Sequence, residues 1–214
     1  MKQNKITYSS KQENDYEKFE DTIKYIPEDQ LKIFLQFVRE LEDKNRTRNK
    51  LIFELWISIG SRIGEFSLIK VSDVDFNSCT INLPQSNTKS SQRRTVRVKK
   101  EVLLDLKDYL ISKNIKSGVI FRNKNNAPMS TRAFQKICDK YFMHPGLQQI
   151  ENFNLSFKPS PHTFRHTHII LALQKGVPIN AIMQNVGHMD LSTTQIYSKI
   201  AGIEIAKGYE GFTY

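Results

Sequence analysis

Between Leu51 and Ile59 only Glu54 and Ser58 interrupt an apolar run. The run is far short of the roughly 18 residues that a membrane-spanning helix needs. It therefore predicts a helix buried on most of its sides, and such a helix has to be wrapped by other elements. The flanking sequence supplies them. Pro27 followed by Glu28 and Asp29 marks a helix start, because proline fits a first turn and acids favour its positive end. Leu31, Phe34, Leu35, Val38 and Leu41 then recur at spacings of three and four, the pattern of an amphipathic helix. Beyond the run, Gly60-Ser61-Arg62-Ile63-Gly64-Glu65 breaks the helix and Phe66-Ser67-Leu68-Ile69 resumes it.

Strand signals follow. Val74 and Phe76 flank Asp75, Asn77-Ser78 makes a turn, and Thr80-Ile81-Asn82-Leu83 restarts the alternation. Pro84 to Arg94 reads as a polar hairpin connection into Thr95-Val96-Arg97-Val98. Helices return at Val102–Leu110, at Thr131–Phe142 behind the cap Ser130, and at Pro161–Lys175 between the cap Ser160 and the stop Gly176. Pro178–Val186 and Ser192–Ser198 are shorter helices. The expected fold class is α+β, mostly helical, with one small three-stranded antiparallel sheet. Residues 1–25 are polar and aperiodic and read as an arm or interdomain linker.

Charge narrows the partners. The 214-residue chain carries 32 Lys and Arg against 22 Asp and Glu. Residues 1–45 hold 8 basic and 10 acidic groups, whereas residues 46–214 hold 24 and 12, a net of +12. Ser86 to Lys100 carries Lys89, Arg93, Arg94, Arg97, Lys99 and Lys100 with no acid. An excess of this kind favours a polyanion, most often nucleic acid, with salt-sensitive affinity. The N-terminus lacks the apolar core of a secretion signal. Cys79 and Cys138 stand far apart and outside metal-ligand spacing, as expected for reduced thiols in an intracellular protein, a disulfide between them being the alternative.

Three clusters carry chemistry. Arg62 and Glu65 share a face at the glycine-flanked helix break; an isolated pair of this spacing is ordinarily a capping ion pair. His162 and Arg165 lie one turn apart at a helix N-terminus, where backbone N–H groups already favour an anion. Gly187-His188 precedes Thr193-Thr194-Gln195-Ile196-Tyr197. Zinc competes for the second cluster, since His162, His166 and His168 crowd together. However, the glutamate of a His-Glu-x-x-His helix is absent, Thr163 standing in its place, and no cysteine helps. His166 and His168 also suit structural roles. Two arginines, two histidines, a lysine and a tyrosine without a metal fit phosphoryl transfer at a DNA diester. Guanidiniums clamp the oxygens on which charge develops, tyrosine attacks phosphorus, and lysine protonates the leaving oxygen.

These residues resemble the catalytic domain of the tyrosine recombinase family, the phage-type integrases, from about Lys24 to Ser198. Gly60-Ser61-Arg62-Ile63-Gly64-Glu65 is similar to the first arginine box and Thr88-Lys89-Ser90-Ser91 to the lysine loop. Pro161-His162-Thr163-Phe164-Arg165-His166-Thr167 resembles the second box. Val186-Gly187-His188, with Tyr197 nine residues on, resembles the third. Ser61, Phe164 and Arg97 depart from the usual wording without removing a catalytic group.

The resemblance implies roles. Arg62 and Arg165 bind the scissile phosphate, and His162 accepts or relays the tyrosyl proton. His188 hydrogen-bonds a phosphate oxygen, and Lys89 is the general acid toward the 5′ oxygen. Tyr197 attacks to give a 3′-phosphotyrosine, and Glu65 supports the first box. Arg93, Arg94, Arg97, Lys99 and Lys100 are the expected DNA-binding cations. No cofactor and no metal are expected. The implied partners are double-stranded recombination sites, three further copies in a synaptic homotetramer formed from free monomers, and accessory DNA-bending proteins, with no membrane. Two other functions share parts of this pattern, a type IB topoisomerase-like relaxing enzyme and a non-catalytic DNA-binding regulator. Residues 26–198 would form the catalytic domain. The apolar tail 199–214, with Ile200, Ile203, Ile205, Tyr209, Phe212 and Tyr214, would either fold back on its own domain or, as the resemblance implies, dock on a neighbouring protomer.

Overall fold

The computed structural model describes residues 23–84, 94–187 and 191–201. The first helix, α1 (Glu28–Glu40), buries Leu31, Phe34, Phe37 and Val38 along one stripe. It packs on α2 (Arg46–Ile59), in which Leu51, Ile52, Phe53, Leu55, Trp56 and Ile59 are all buried. That wrapping answers the apolar run. α2 ends at Gly60, which adopts the left-handed conformation (φ 58°) and whose N–H bonds the Trp56 carbonyl. A short helix, α3 (Ile63–Ser67), follows at once, starting three residues before the apolar sequence resumes. The reason is Glu65: its carboxylate accepts from the Arg62 N–H and so caps the turn.

The sheet has strands β1 (Val74–Asp75), β2 (Thr80–Leu83) and β3 (Arg94–Arg97) in the order β1-β2-β3, all antiparallel. Ile81 pairs with Val96, so both apolar side chains face the core together. Three helices follow: α4 (Lys100–Ser112), α5 (Thr131–Phe142) and α6 (Pro145–Gln148). α5 begins where Ser130 accepts from the Ala133 N–H. The remaining elements are α7 (Pro161–Gln174), α8 (Ile179–Val186) and α9 (Leu191–Ile200). Only four residues long, α6 has no periodicity to announce it.

Aromatic rings hold the main core. Trp56 stacks between Phe66 and Phe164 at centroid distances of 5.3 and 5.1 Å. Phe34 stacks on Phe142 at 3.9 Å. A second, smaller core joins α7, α8 and α9 through Ile169, Ile170, Leu173, Ile182, Val186 and Tyr197. Ile23 and Tyr25 pack against it although they fall inside the stretch read as an arm, and the Ile26 N–H donates to buried Thr167. Cys79 and Cys138 are free thiols, and burial pushes the Cys138 thiol up to about 12. Among the described residues no helix is long and apolar enough to cross a membrane.

Candidate active site

Four segments meet around one point: the α2–α3 junction, the start of β3, the first two turns of α7, and the end of α8 with Gly187. Arg165 holds them together. Its Nη1 donates to the carbonyls of Gly60 (3.0 Å) and Val186 (2.7 Å), and its Nη2 reaches the carbonyl of Gly187 at 3.4 Å. One side chain thus ties α7 to α2 and to the end of α8. Arg165 is only 7% exposed. Burial, and next the like charge of Arg62, push its pKa down to about 10. It remains a cation at neutral pH, held where a charge is costly.

Arg62 stands at the N-cap of α3. Its Nη1 forms an ion pair with Glu65 Oε1 at 3.5 Å, yet that nitrogen is buried without a hydrogen-bond partner. A buried donor left in this condition is ready for an acceptor supplied from outside. Glu65 itself is fully buried. Its two oxygens receive a fork from Arg94, Nη1 to Oε1 at 3.2 Å and Nη2 to Oε2 at 2.8 Å.

Tyr197 lies on α9 and is 2% exposed. Burial raises its phenol to about 12, against a smaller pull from Arg165, so the hydroxyl keeps its proton in the free protein. That hydroxyl meets Nδ1 of His166, with the rings tilted at a centroid distance of 5.7 Å. Burial, followed by the charges of His162 and Arg165, pushes His166 down to about 4. His166 is therefore neutral at pH 7 and able to accept a proton at Nδ1. His162, given the proton-relay role in the sequence, is exposed.

The placement of the other expected residues is uneven. Lys89, Arg93 and His188 lie outside the described residues. Arg97, Lys99 and Lys100 are exposed on and after β3, as surface cations for DNA would be. Arg94, grouped with the DNA-binding cations by its position in the basic stretch, is 9% exposed and bonds Glu65 and the Asn185 carbonyl (2.6 Å). The sequence missed His166 as a neighbour of the tyrosine. Its one signal was the four-residue spacing from His162, which puts both rings on one face of α7.

His168 bridges two other elements. Its Nδ1 donates to the Ile57 carbonyl (2.7 Å) and its Nε2 accepts from Asn185 (3.1 Å). His166 and His168 thus point to different partners, while His162 is exposed. Among the described residues no group of three or more His, Cys, Asp or Glu side chains could hold a metal ion.

Comparison with known proteins gives the family and the fold. The model of the phage integrase family matches residues 24–202. Tyrosine recombinase XerA of Pyrococcus furiosus is 27% identical over 174 residues, which are 80% of this chain and 57% of the relative. Tyrosine recombinase XerC of Anoxybacillus flavithermus is 30% identical over 168 residues, 76% of this chain and 53% of the relative. The chain therefore spans about half the length of these relatives. Among solved structures, a XerA recombinase superposes with a TM-score of 0.66 at 25% identity, covering 88% of this chain and 66% of that one. The catalytic domain of bacteriophage HP1 integrase shares the fold at a TM-score of 0.59 and 18% identity, covering 88% and 95%.

Proposed function

Because the chain belongs to the phage integrase family, we propose that it cuts and rejoins DNA at specific sites through a tyrosyl–phosphate intermediate. The observation that carries this is the pairing of two guanidiniums beside a buried tyrosine. Arg62 sits close enough to Arg165 to disfavour the charge there, and Arg62 Nη1 has a hydrogen bond to give. Such a pair is stabilised when a dianion-like phosphorane arrives between them.

In the proposed cleavage step, Tyr197 Oη attacks phosphorus and the bond from phosphorus to the 5′ oxygen breaks. The phenolic proton passes to a histidine. His166 Nδ1 already touches that hydroxyl and the ring is neutral at pH 7, so it has a lone pair to receive the proton, with His162 one turn away. The departing 5′ oxygen takes a proton from Lys89. The strand is left as a 3′-phosphotyrosine and a free 5′ hydroxyl, and attack by a 5′ hydroxyl reverses the step without an energy source. His188 adds a hydrogen bond to a phosphate oxygen. No metal enters the scheme.

Relatives support DNA as the substrate: a XerH recombinase is solved bound to its palindromic difH substrate, and a Tn1549 transposon integrase with circular intermediate DNA. We extend this to two duplex sites brought together by four copies of the chain. The test uses a nicked duplex, selected by the chain itself from a random-sequence pool, on which cleavage cannot reverse. A detergent-stable protein–DNA adduct should form in EDTA as fast as in magnesium. Lys89→Ala should slow it, and replacing the leaving 5′ oxygen by sulfur should restore the rate. An adduct that requires added divalent metal would contradict the scheme.

A further inference from the structure

Among the described residues of the basic stretch that precedes α4, one cation does not face solvent. Arg94, the first residue of β3, turns inward and joins three of the segments that build the site. Its Nη1 and Nη2 bond the two oxygens of Glu65 at 3.2 and 2.8 Å, an end-on fork that fixes the carboxylate plane. Its Nε donates to the Asn185 carbonyl at 2.6 Å, in the last turn of α8. Gly187, with φ 76°, lies flat against the same guanidinium, and a Cβ there would fall 3.0 Å from Nη1. The glycine after α8 is thus needed for the approach as well as for the turn.

The consequence falls on Arg62. Glu65 serves two arginines with the same two oxygens. Oε2 accepts both from Arg94 Nη2 and from the Arg62 N–H, and Oε1 accepts from Arg94 Nη1 while standing 3.5 Å from Arg62 Nη1. A carboxylate held by one fork cannot turn to make a second, closer fork with its other neighbour. We infer that Arg94 is a positioning residue: by holding Glu65, it keeps Arg62 anchored at its backbone yet leaves the Arg62 guanidinium uncommitted for a phosphate. Without Arg94, Glu65 turns fully onto Arg62 and neutralises it. The inference rests on the phosphate-binding role proposed for Arg62.

This arrangement gives an unusual order of effects on substitution. Arg94→Ala should slow adduct formation at saturating duplex by about 10²-fold, the scale expected when a reacting group is displaced by an ångström. Duplex affinity should change little. Arg94→Lys should recover part of the loss, since an ammonium holds one oxygen but not the plane. Arg94→Ala combined with Glu65→Gln should cleave faster than Arg94→Ala alone, because a neutral amide cannot quench Arg62. The double variant also leaves no buried carboxylate deprived of its partner, so it keeps the question open to measurement if the single variant folds poorly. Inorganic sulfate provides a second readout. Titration followed at the Arg62 guanidinium resonance should show weaker binding in Arg94→Ala and recovery in the double variant.

Two results overturn the inference. One is a cleavage rate unchanged at saturation with a weaker affinity and a salt slope reduced by about one, which makes Arg94 a DNA phosphate contact. The other is a double variant no faster than Arg94→Ala, with both losses following thermal stability. The Tyr197→Phe protein separates this from the proposed function. If it still forms the adduct, the tyrosyl scheme fails, and the sulfate titration alone then decides on Arg94.

Discussion

Arg62 and Arg165 have the same proposed duty but different structural debts to their surroundings. Arg165 satisfies the carbonyls of Gly60 and Val186, so its loss strands two buried acceptors at about 1–3 kcal/mol each. Arg62 is 26% exposed, and among the described residues its guanidinium bonds no carbonyl. Arg62→Ala should therefore lower the cleavage rate on the order of 10²–10³ with a melting temperature near wild type. Arg165→Ala should lose both, as paired rate and melting measurements would show. His166 gives a pH prediction. Its pKa falls from 6.5 unfolded to about 4 folded, mainly through burial, so the unfolded chain binds more protons in that window. Stability contributed by the neutral ring is complete above pH 6.5 and is lost as pH falls toward 4, by up to about 3 kcal/mol. His168, also lowered by burial, acts with the same sign. His166→Gln should flatten the fall of melting temperature between pH 6.5 and 4, and an unchanged slope would remove His166 from this account.

At the scale of elements, the junction between α2 and α3 depends on a single glycine. Gly60 is left-handed, and a Cβ there would lie 2.3 Å from His168 Cδ2. Gly60→Ala should cost about 1–3 kcal/mol from backbone strain, with a further loss of cleavage because the Gly60 carbonyl anchors Arg165. Gly64→Ala in α3 meets nothing within 4 Å and should be neutral to stabilising by about 0.5–1 kcal/mol. Thermal melting of the two variants compares them directly. Elements of this kind were legible in the sequence wherever a local cause made them. Ser130 and Ser160 cap the helices they were expected to cap, and the alternation around Ile81 and Val96 is the sheet register. What stayed hidden was tertiary. Strand alternation puts Arg94 on the face of Val96 and Arg97 on the opposite one, but no local signal shows that Glu65 arrives from α3 to receive Arg94. Likewise the partner of Tyr197 could be narrowed to the second box but not to His166, since which ring faces α9 is decided by packing of the small core.

For the whole molecule, the net of +12 on residues 46–214 must act through cations that reach solvent. Arg97, Lys99 and Lys100 are exposed, whereas Arg94 and Arg165 are spent inside the fold. Replacing any of the three exposed cations by alanine should lower duplex affinity and reduce the salt slope by about one where it meets a phosphate, without changing the rate at saturation. Fluorescence anisotropy across a salt series would read this. The charge predicts where DNA lies but not what is done to it; that rests on one phenol. The most direct measurement is a peptide map of the protein–DNA adduct formed on the nicked duplex. A nucleotide linked through its 3′ phosphate to the peptide containing Tyr197, and no adduct from Tyr197→Phe protein that still binds the duplex, is the predicted result. A nucleotide carried by any other residue, or an adduct that survives Tyr197→Phe, would contradict the account.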